Sequence, residues 1–188
     1  IYDATGKYGF MAYNDDQLGY WNFVYQAGGC ILTEDKTKGG FDLEATRKAM
    51  KFYIGIQDYE WCPDQTYFAE TSPGTSFLSE MGAMYLEGNW NLWANCENFP
   101  DFQGKWDIAP LPKCPDPLEG DGRATISNGL CYSTAAHGKK KDIALDVLKF
   151  FGTEEAQLIA SSYGAAVSAY DGTEQPYFDA FKKAGYDL

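Results

Sequence analysis

The sequence predicts an α/β domain in which a layered sheet is flanked by helices, and three features carry that prediction. Short aromatic or β-branched segments alternate with longer stretches whose apolar residues recur at helical spacing. Gly, Pro, Asn and Asp punctuate the boundaries between them. Of the 188 residues 45% are hydrophobic and 22% charged, enough apolar material for one core of ordinary size. Alternation of this kind favours a layered α/β arrangement, with residues 1–188 expected to form a single unit. Strand order within the sheet is not legible.

The elements follow in order. Tyr8 to Ala12 is short and aromatic and reads as a strand. Asn14, Asp15 and Asp16 supply capping groups for a helix over 16–26, with Leu18, Trp21, Val24 and Tyr25 on its apolar stripe. Gly28-Gly29 should end it in a left-handed stop. A short strand over 30–33 and a turn over 36–40 lead to a second helix over 43–57, capped by Asp42, with Ala49, Met50, Tyr53, Ile54 and Gln57 on one face. Trp61-Cys62-Pro63 breaks it. A helix near 75–81, a strand over 82–86 and a helix over 89–98 come next. Further strands are expected over 105–109, 124–127 and 130–133, with a turn-rich loop over 113–122. An amphipathic helix over 140–151, a helix capped by Thr153, and a last helix over 173–184 complete the chain. There is no internal repeat.

Charge and composition exclude several function classes. A net charge of -12 opposes nucleic acid and anionic membranes, both of which need clustered Lys or Arg. The one basic run, Lys139-Lys140-Lys141, reads as a solvated loop ahead of a helix. No apolar run is long enough to span a bilayer. Cys30, Cys62, Cys96, Cys114 and Cys131 form no close couple, which argues against a zinc cage. No nucleophile elbow, phosphate loop or dinucleotide fingerprint occurs. His137 sits in a turn, and the adjacent acids Asp15/Asp16 and Glu154/Glu155 suit helix N-termini better than acid-base pairs. The expectation is therefore a non-enzyme with no catalytic residues, no metal and no cofactor. The opening Ile1-Tyr2-Asp3 lacks an initiator Met and an apolar leader, so the chain reads as a segment of a longer parent.

The aromatic share is 16%, with 14 Tyr, 12 Phe and 5 Trp. Tyr in such numbers suits a wet surface as well as a core. Several motifs fall in a telling order. Tyr8-Gly9-Phe10 is followed by Asn14 through Tyr20, Trp21 and Ala27-Gly28-Gly29. Phe77-Leu78-Ser79-Glu80-Met81-Gly82-Ala83-Met84 precedes Gly88-Asn89-Trp90. Then come Asp107-Ile108-Ala109-Pro110-Leu111-Pro112, Asn128-Gly129-Leu130, Phe150 to Gln157 around Thr153-Glu154-Glu155, and Tyr163-Gly164-Ala165. Together these resemble the family 1 extracellular solute-binding proteins, the maltose-binding-like sugar receptors of ABC importers. One departure stands out: the family pattern carries Gly where Ser79 or Glu80 sits here.

The resemblance implies one lobe of a type II periplasmic-binding-protein-like fold, the second of two, with the N-terminal lobe and final helices outside this sequence. It implies an extracellular protein, either a lipid-anchored lipoprotein or periplasmic, that holds a mono- or oligosaccharide between its lobes and hands it to an ABC importer permease. A sugar needs flat rings for its C–H faces and rigid polar groups for its hydroxyls. On that basis Asp16, Tyr20 and Trp21 at one helix start, and Asn89 and Trp90 at another, are the candidate ligand-binding residues, with Trp90 the main stacking platform. Asn128 and Tyr163 lie on loops that border the family's cleft. A carbohydrate-active hydrolase built on Asp or Glu, or a receptor for ferric ion or peptide, remains as the alternative.

Overall fold

The computed structural model describes residues 2–92, 99–102 and 104–186, without the side chain of Asp16. The chain divides into two compact units. The first takes Ile1–Glu87 and Gly104–Asn128, and the second Gly88–Gln103 and Gly129–Leu188.

In the first unit, Tyr8 and Met11 pair in parallel with Gly82 and Tyr85. Tyr8 N–H donates to Met81 O at 2.8 Å, Ala83 N–H to Tyr8 O at 2.9 Å and Met11 N–H to Met84 O at 2.9 Å. The two aromatic segments thus meet as expected, though as separate bridges rather than a long ladder. A third bridge, antiparallel, joins Leu32 to Gly39 and closes the turn between them.

The expected helix over 16–26 is broken in two: a five-residue π turn Asp16–Tyr20, then the α-helix Trp21–Gln26. The break falls at Gly19 (φ −93°, ψ −107°). A Cβ there would meet the Tyr53 hydroxyl at 2.7 Å, so glycine lets the two elements approach. Gly28 ends the helix at φ +84°, with its N–H on Tyr25 O at 3.1 Å and Gly29 N–H on Val24 O at 2.9 Å.

The helix Glu44–Gly55 and the 3₁₀ turn Ile56–Asp58 bury Ala45, Thr46, Ala49, Tyr53 and Ile56; of the expected face Ala49 and Tyr53 are buried and Met50 and Gln57 half-buried, but Ile54 is exposed and Ile56 is buried instead. Asp42 does not cap this helix. Leu43 is the N-cap and has no polar side-chain group to offer, while Asp42 lies one residue outside and faces Arg47 at 3.7 Å. Buried residues gather in two clusters, one around Ala12, Tyr53, Ile56 and Cys62 and one around Val24, Ala27, Ala45 and Ala49, and Tyr20 and Phe23 pack against both.

Two short helices complete this part. Gln65–Glu70, which the sequence pattern did not suggest, is capped by Asp64 accepting from Tyr67 N–H at 3.0 Å. Pro73–Leu78 starts earlier than expected, with Ser72 accepting from Thr75 N–H at 3.1 Å and Pro73 in its first turn. After it, Glu80 takes φ +61°. Here a residue with a Cβ holds a left-handed turn position.

Segments 105–109, 124–127 and 130–133 form no strand pairing among the described residues. Over 124–126 the reason is visible. Gln26 Nε2 donates to Ala124 O at 3.1 Å and Asn22 Oδ1 accepts from Ile126 N–H at 2.9 Å, so side-chain amides of the Trp21–Gln26 helix take bonds a ladder would use.

In the second unit, 90–92 are helical, while the rest of the helix expected over 89–98 lies outside the described residues, as do Trp93 and Cys96. Pro100–Phe102 is a single 3₁₀ turn. The helices Lys141–Phe151, Glu154–Ser162 and Gln175–Lys183 match the predicted ones. Thr153 caps the second of these as expected, accepting from Ala156 N–H at 3.3 Å, with Glu154 and Glu155 at the positive end of its dipole. Phe102, Tyr177 and Phe181 are large buried side chains here.

Candidate ligand-binding site

Four of the seven candidate residues belong to the first unit. Asp16 opens the π turn, and its side chain lies outside the described residues. Tyr20 closes it, with its N–H on Asp15 O at 3.3 Å and its ring packed half-buried on both core clusters. Trp21 begins the helix and is half-buried, and its indole N–H is buried without a hydrogen-bond partner. Such a group is normally paired, and leaving it unpaired costs about 1–3 kcal/mol. Asn128 is exposed, two residues beyond the Ile126 amide that Asn22 anchors.

The other three belong to the second unit. Asn89 is exposed, and its backbone carbonyl accepts from the Tyr177 hydroxyl at 3.1 Å. Trp90 lies over Gly88, where any Cβ would collide with the indole, and still leaves 42% of its surface exposed. Tyr163 follows the helix Glu154–Ser162 and is 70% exposed.

The first unit also contains a cavity of about 420 Å³. Tyr13 and Phe68 contribute rings that meet edge-on with centroids 5.4 Å apart. Asp15, Glu70 and Glu87 are also among the lining residues. Asp15 is held in place by accepting from Leu18 N–H at 2.9 Å, which is the capping role expected of the Asn14–Asp16 cluster. Tyr53 forms part of the wall. Its hydroxyl donates to Tyr13 O at 2.7 Å, and burial pushes its ionisation well above the usual tyrosine range.

Tyr20, Trp21, Asn89, Trp90, Asn128 and Tyr163 are not among the described residues that line this cavity, and the Asp16 side chain lies outside the described residues. Two signals could have pointed to it: Asp64 ahead of Gln65, a cap that puts Phe68 and Glu70 on a helix, and the first strand running out at Tyr13 into the acids. Among the described residues no group of His, Cys, Asp and Glu could hold a metal ion, and no helix is long and apolar enough to cross a membrane. Cys30, Cys62, Cys114 and Cys131 are free thiols.

The sequence matches no protein-family model and no curated protein. Solved structures do resemble the fold. M. tuberculosis UspC superimposes with a TM-score of 0.67 at 25% identity, over 97% of this chain and 44% of its own. An ABC transporter solute-binding protein from Thermotoga lettingae, bound with alpha-D-tagatose, gives 0.62 at 21% identity over 97% and 45%. The ABC substrate-binding protein Lmo0181 from Listeria monocytogenes, in complex with cycloalternan, gives 0.64 at 16% identity over 96% and 45%. The chain thus spans less than half the length of the proteins it resembles. Over nearly all of its own residues it has the fold of the ABC-transporter solute-binding proteins.

Proposed function

We propose that the chain is the second, carbohydrate-binding lobe of an ABC-transporter substrate-binding protein. It acts by capture rather than catalysis. A mono- or oligosaccharide is held between this lobe and an N-terminal lobe of the same parent chain, a hinge motion closes the pair, and the closed form is presented to the importer's permease. The parent is extracellular, lipid-anchored or periplasmic. One observation carries the reading: 96–97% of this chain superimposes on proteins of that class, two of them described with a sugar bound.

The proposed ligand-binding residues are Asp16, Tyr20, Trp21, Asn89, Trp90, Asn128 and Tyr163. Trp90 is the strongest of them, because a ring seated on Gly88 is held at low entropic cost while much of it stays open. Tyr20 serves more as a support, since its ring is engaged with both core clusters.

Calorimetric titration with mono- and oligosaccharides tests the reading. The two-lobed parent should bind, and the 188-residue chain should bind weakly or not measurably, because it holds only half of the contacts. Submicromolar binding by the chain alone would overturn the half-site view. In the parent, Trp90→Ala should weaken binding about tenfold or more, the loss expected for a ring stack worth roughly 1–3 kcal/mol.

A further inference from the structure

The π turn Asp16–Tyr20 carries two of the proposed ligand-binding residues, Asp16 and Tyr20, and leads straight into a third, Trp21. A π turn is an uncommon backbone form, and this one is kinked at Gly19, so no continuous helical ladder fixes it. Asp15 holds it at two points. Its carboxylate accepts from Leu18 N–H at 2.9 Å, and its carbonyl accepts from Tyr20 N–H at 3.3 Å. Asp15 N–H in turn donates to Tyr13 O at 2.8 Å. The turn is therefore hung on the segment 12–15.

That segment is gripped by two side chains from distant sequence. The Tyr53 hydroxyl donates to Tyr13 O at 2.7 Å, taking the second lone pair of the carbonyl that Asp15 N–H already uses. Gln57, at the next turn, uses both hydrogens of its amide: Nε2 donates to Ala12 O at 2.5 Å and to Asn14 Oδ1 at 3.3 Å. Tyr53 is buried and Gln57 half-buried, so these bonds are shielded from water and cost more to lose than exposed ones. The Tyr53 ring is itself fixed, with its centroid 5.2 Å from that of Phe23, and Tyr20 packs on the same cluster.

We propose that Tyr53 and Gln57 are positioning residues for ligand binding. They act through the backbone of 12–15, and through Asp15 they hold the π turn so that Asp16, Tyr20 and Trp21 keep one arrangement before any ligand arrives. A site held in advance does not have to be ordered by its ligand, which strengthens binding without adding a contact. The inference rests on the proposed sugar-binding function and adds the residues that hold half of its site in place.

Calorimetric titration of the two-lobed parent with glucose, galactose, maltose and raffinose, paired with amide hydrogen exchange on the 188-residue chain, provides the test. Tyr53→Phe keeps the ring and removes the hydroxyl. Gln57→Met keeps the length and removes the donors. Each should weaken sugar binding about threefold to tenfold, since apparent affinity falls with the fraction of molecules held ready to bind. Exchange at the Leu18 and Tyr20 amides should rise in both. Thr46→Val is the matched control: on the same helix, a fully buried hydroxyl donates to Cys30 O at 3.2 Å and accepts from Cys30 N–H at 3.3 Å, away from segment 12–15. It should lower the melting temperature much as Tyr53→Phe does, yet change affinity less than about twofold, as expected of independent sites. Gln57→Lys, which returns a donor for Ala12 O, should recover most of the affinity that Gln57→Met loses. Unchanged affinity in Tyr53→Phe and Gln57→Met, or equal weakening by Thr46→Val, would overturn the positioning role and leave sugar capture intact. Heat from none of the four sugars with the unaltered parent would instead overturn the sugar-capture reading.

Discussion

The helices Glu44–Gly55 and Lys141–Phe151 are nearly equal in length, 12 and 11 residues, and each carries a clear apolar stripe. The first buries Ala45, Thr46, Ala49 and Tyr53. The second buries nothing: Ile143 is 65% exposed, and Val147 and Phe150 close to half. A stripe at helical spacing therefore specifies a face but not its cover. In the first unit the cover comes from the Trp21–Gln26 helix, through Val24 and Ala27, and from Tyr20 and Phe23. The helix Lys141–Phe151 meets the helix Glu154–Ser162 and, through Phe151, the Tyr132 ring, but these contacts leave its stripe open, so its amphipathic pattern has not been converted into burial.

The largest effects should expose that contrast directly. Tyr53→Ala removes a fully buried ring and should cost about 3–5 kcal/mol in urea unfolding, the range for large aromatic truncations. Ile143→Ala, at an equally apolar position of the other helix, should change stability by no more than about 0.5 kcal/mol. A loss of several kcal/mol at Ile143 would mean that the face is covered in solution.

Next in size is the side-chain bonding that replaces a sheet ladder in the first unit. Asn22 donates to Gln17 O and Leu18 O, each at 3.1 Å, and accepts from Ile126 N–H. Asn22→Leu should cost about 1–3 kcal/mol, because backbone groups are left buried and unpaired. Hydrogen exchange at the Ile126 amide should rise with it. Unchanged exchange would show that the 124–126 segment is held by something else.

A smaller effect depends on pH. Burial raises the Tyr53 phenol above its unfolded value of 10.0, so the neutral form is favoured in the folded chain. Its contribution is present in full below pH 10 and is lost as pH rises toward the folded value. Thermal melts should therefore show an alkaline decline above pH 10. Tyr53→Phe should flatten that decline, at the loss of the bond to Tyr13 O, about 1 kcal/mol at neutral pH.

The smallest effect has the opposite sign. Glu80 occupies a left-handed turn at φ +61°, a conformation that costs a residue with a Cβ roughly 1–2 kcal/mol. Its ion pairs, to Lys7 at 3.9 Å and Lys105 at 3.4 Å, are half-exposed and contribute about 0–1 kcal/mol between them. Glu80→Gly should therefore stabilise the chain by up to about 1 kcal/mol, read as a raised melting temperature. A lower one would show that the ion pairs outweigh the backbone strain.

Local chemistry was legible where it acts within a few residues. Gly28 as a left-handed stop, Thr153 as a cap and Pro63 as a break after the second helix all depend on neighbours along the chain. So do the stripes of the long helices. At Ser79 and Glu80 the sequence showed two residues with side chains, and only the structure shows that Glu80 takes the left-handed turn. What escaped the sequence required distant partners. Gly19, where the helix breaks, must be glycine because Tyr53, 34 positions on, stands where a Cβ would go. Residues 124–126 look like a strand, but their bonds are taken by Asn22 and Gln26.

The candidate site divides along the same line. By itself the sequence determined the kinds of group available, namely aromatic rings, short polar side chains and an excess of acid, and placed them at turns and helix starts. Only the tertiary structure decided which of them share a space: Tyr13, Asp15, Phe68, Glu70 and Glu87 line one cavity although they span more than 70 positions of sequence. Periodicity and capping act over a turn or two of backbone, whereas a cavity is made by residues that only folding brings together.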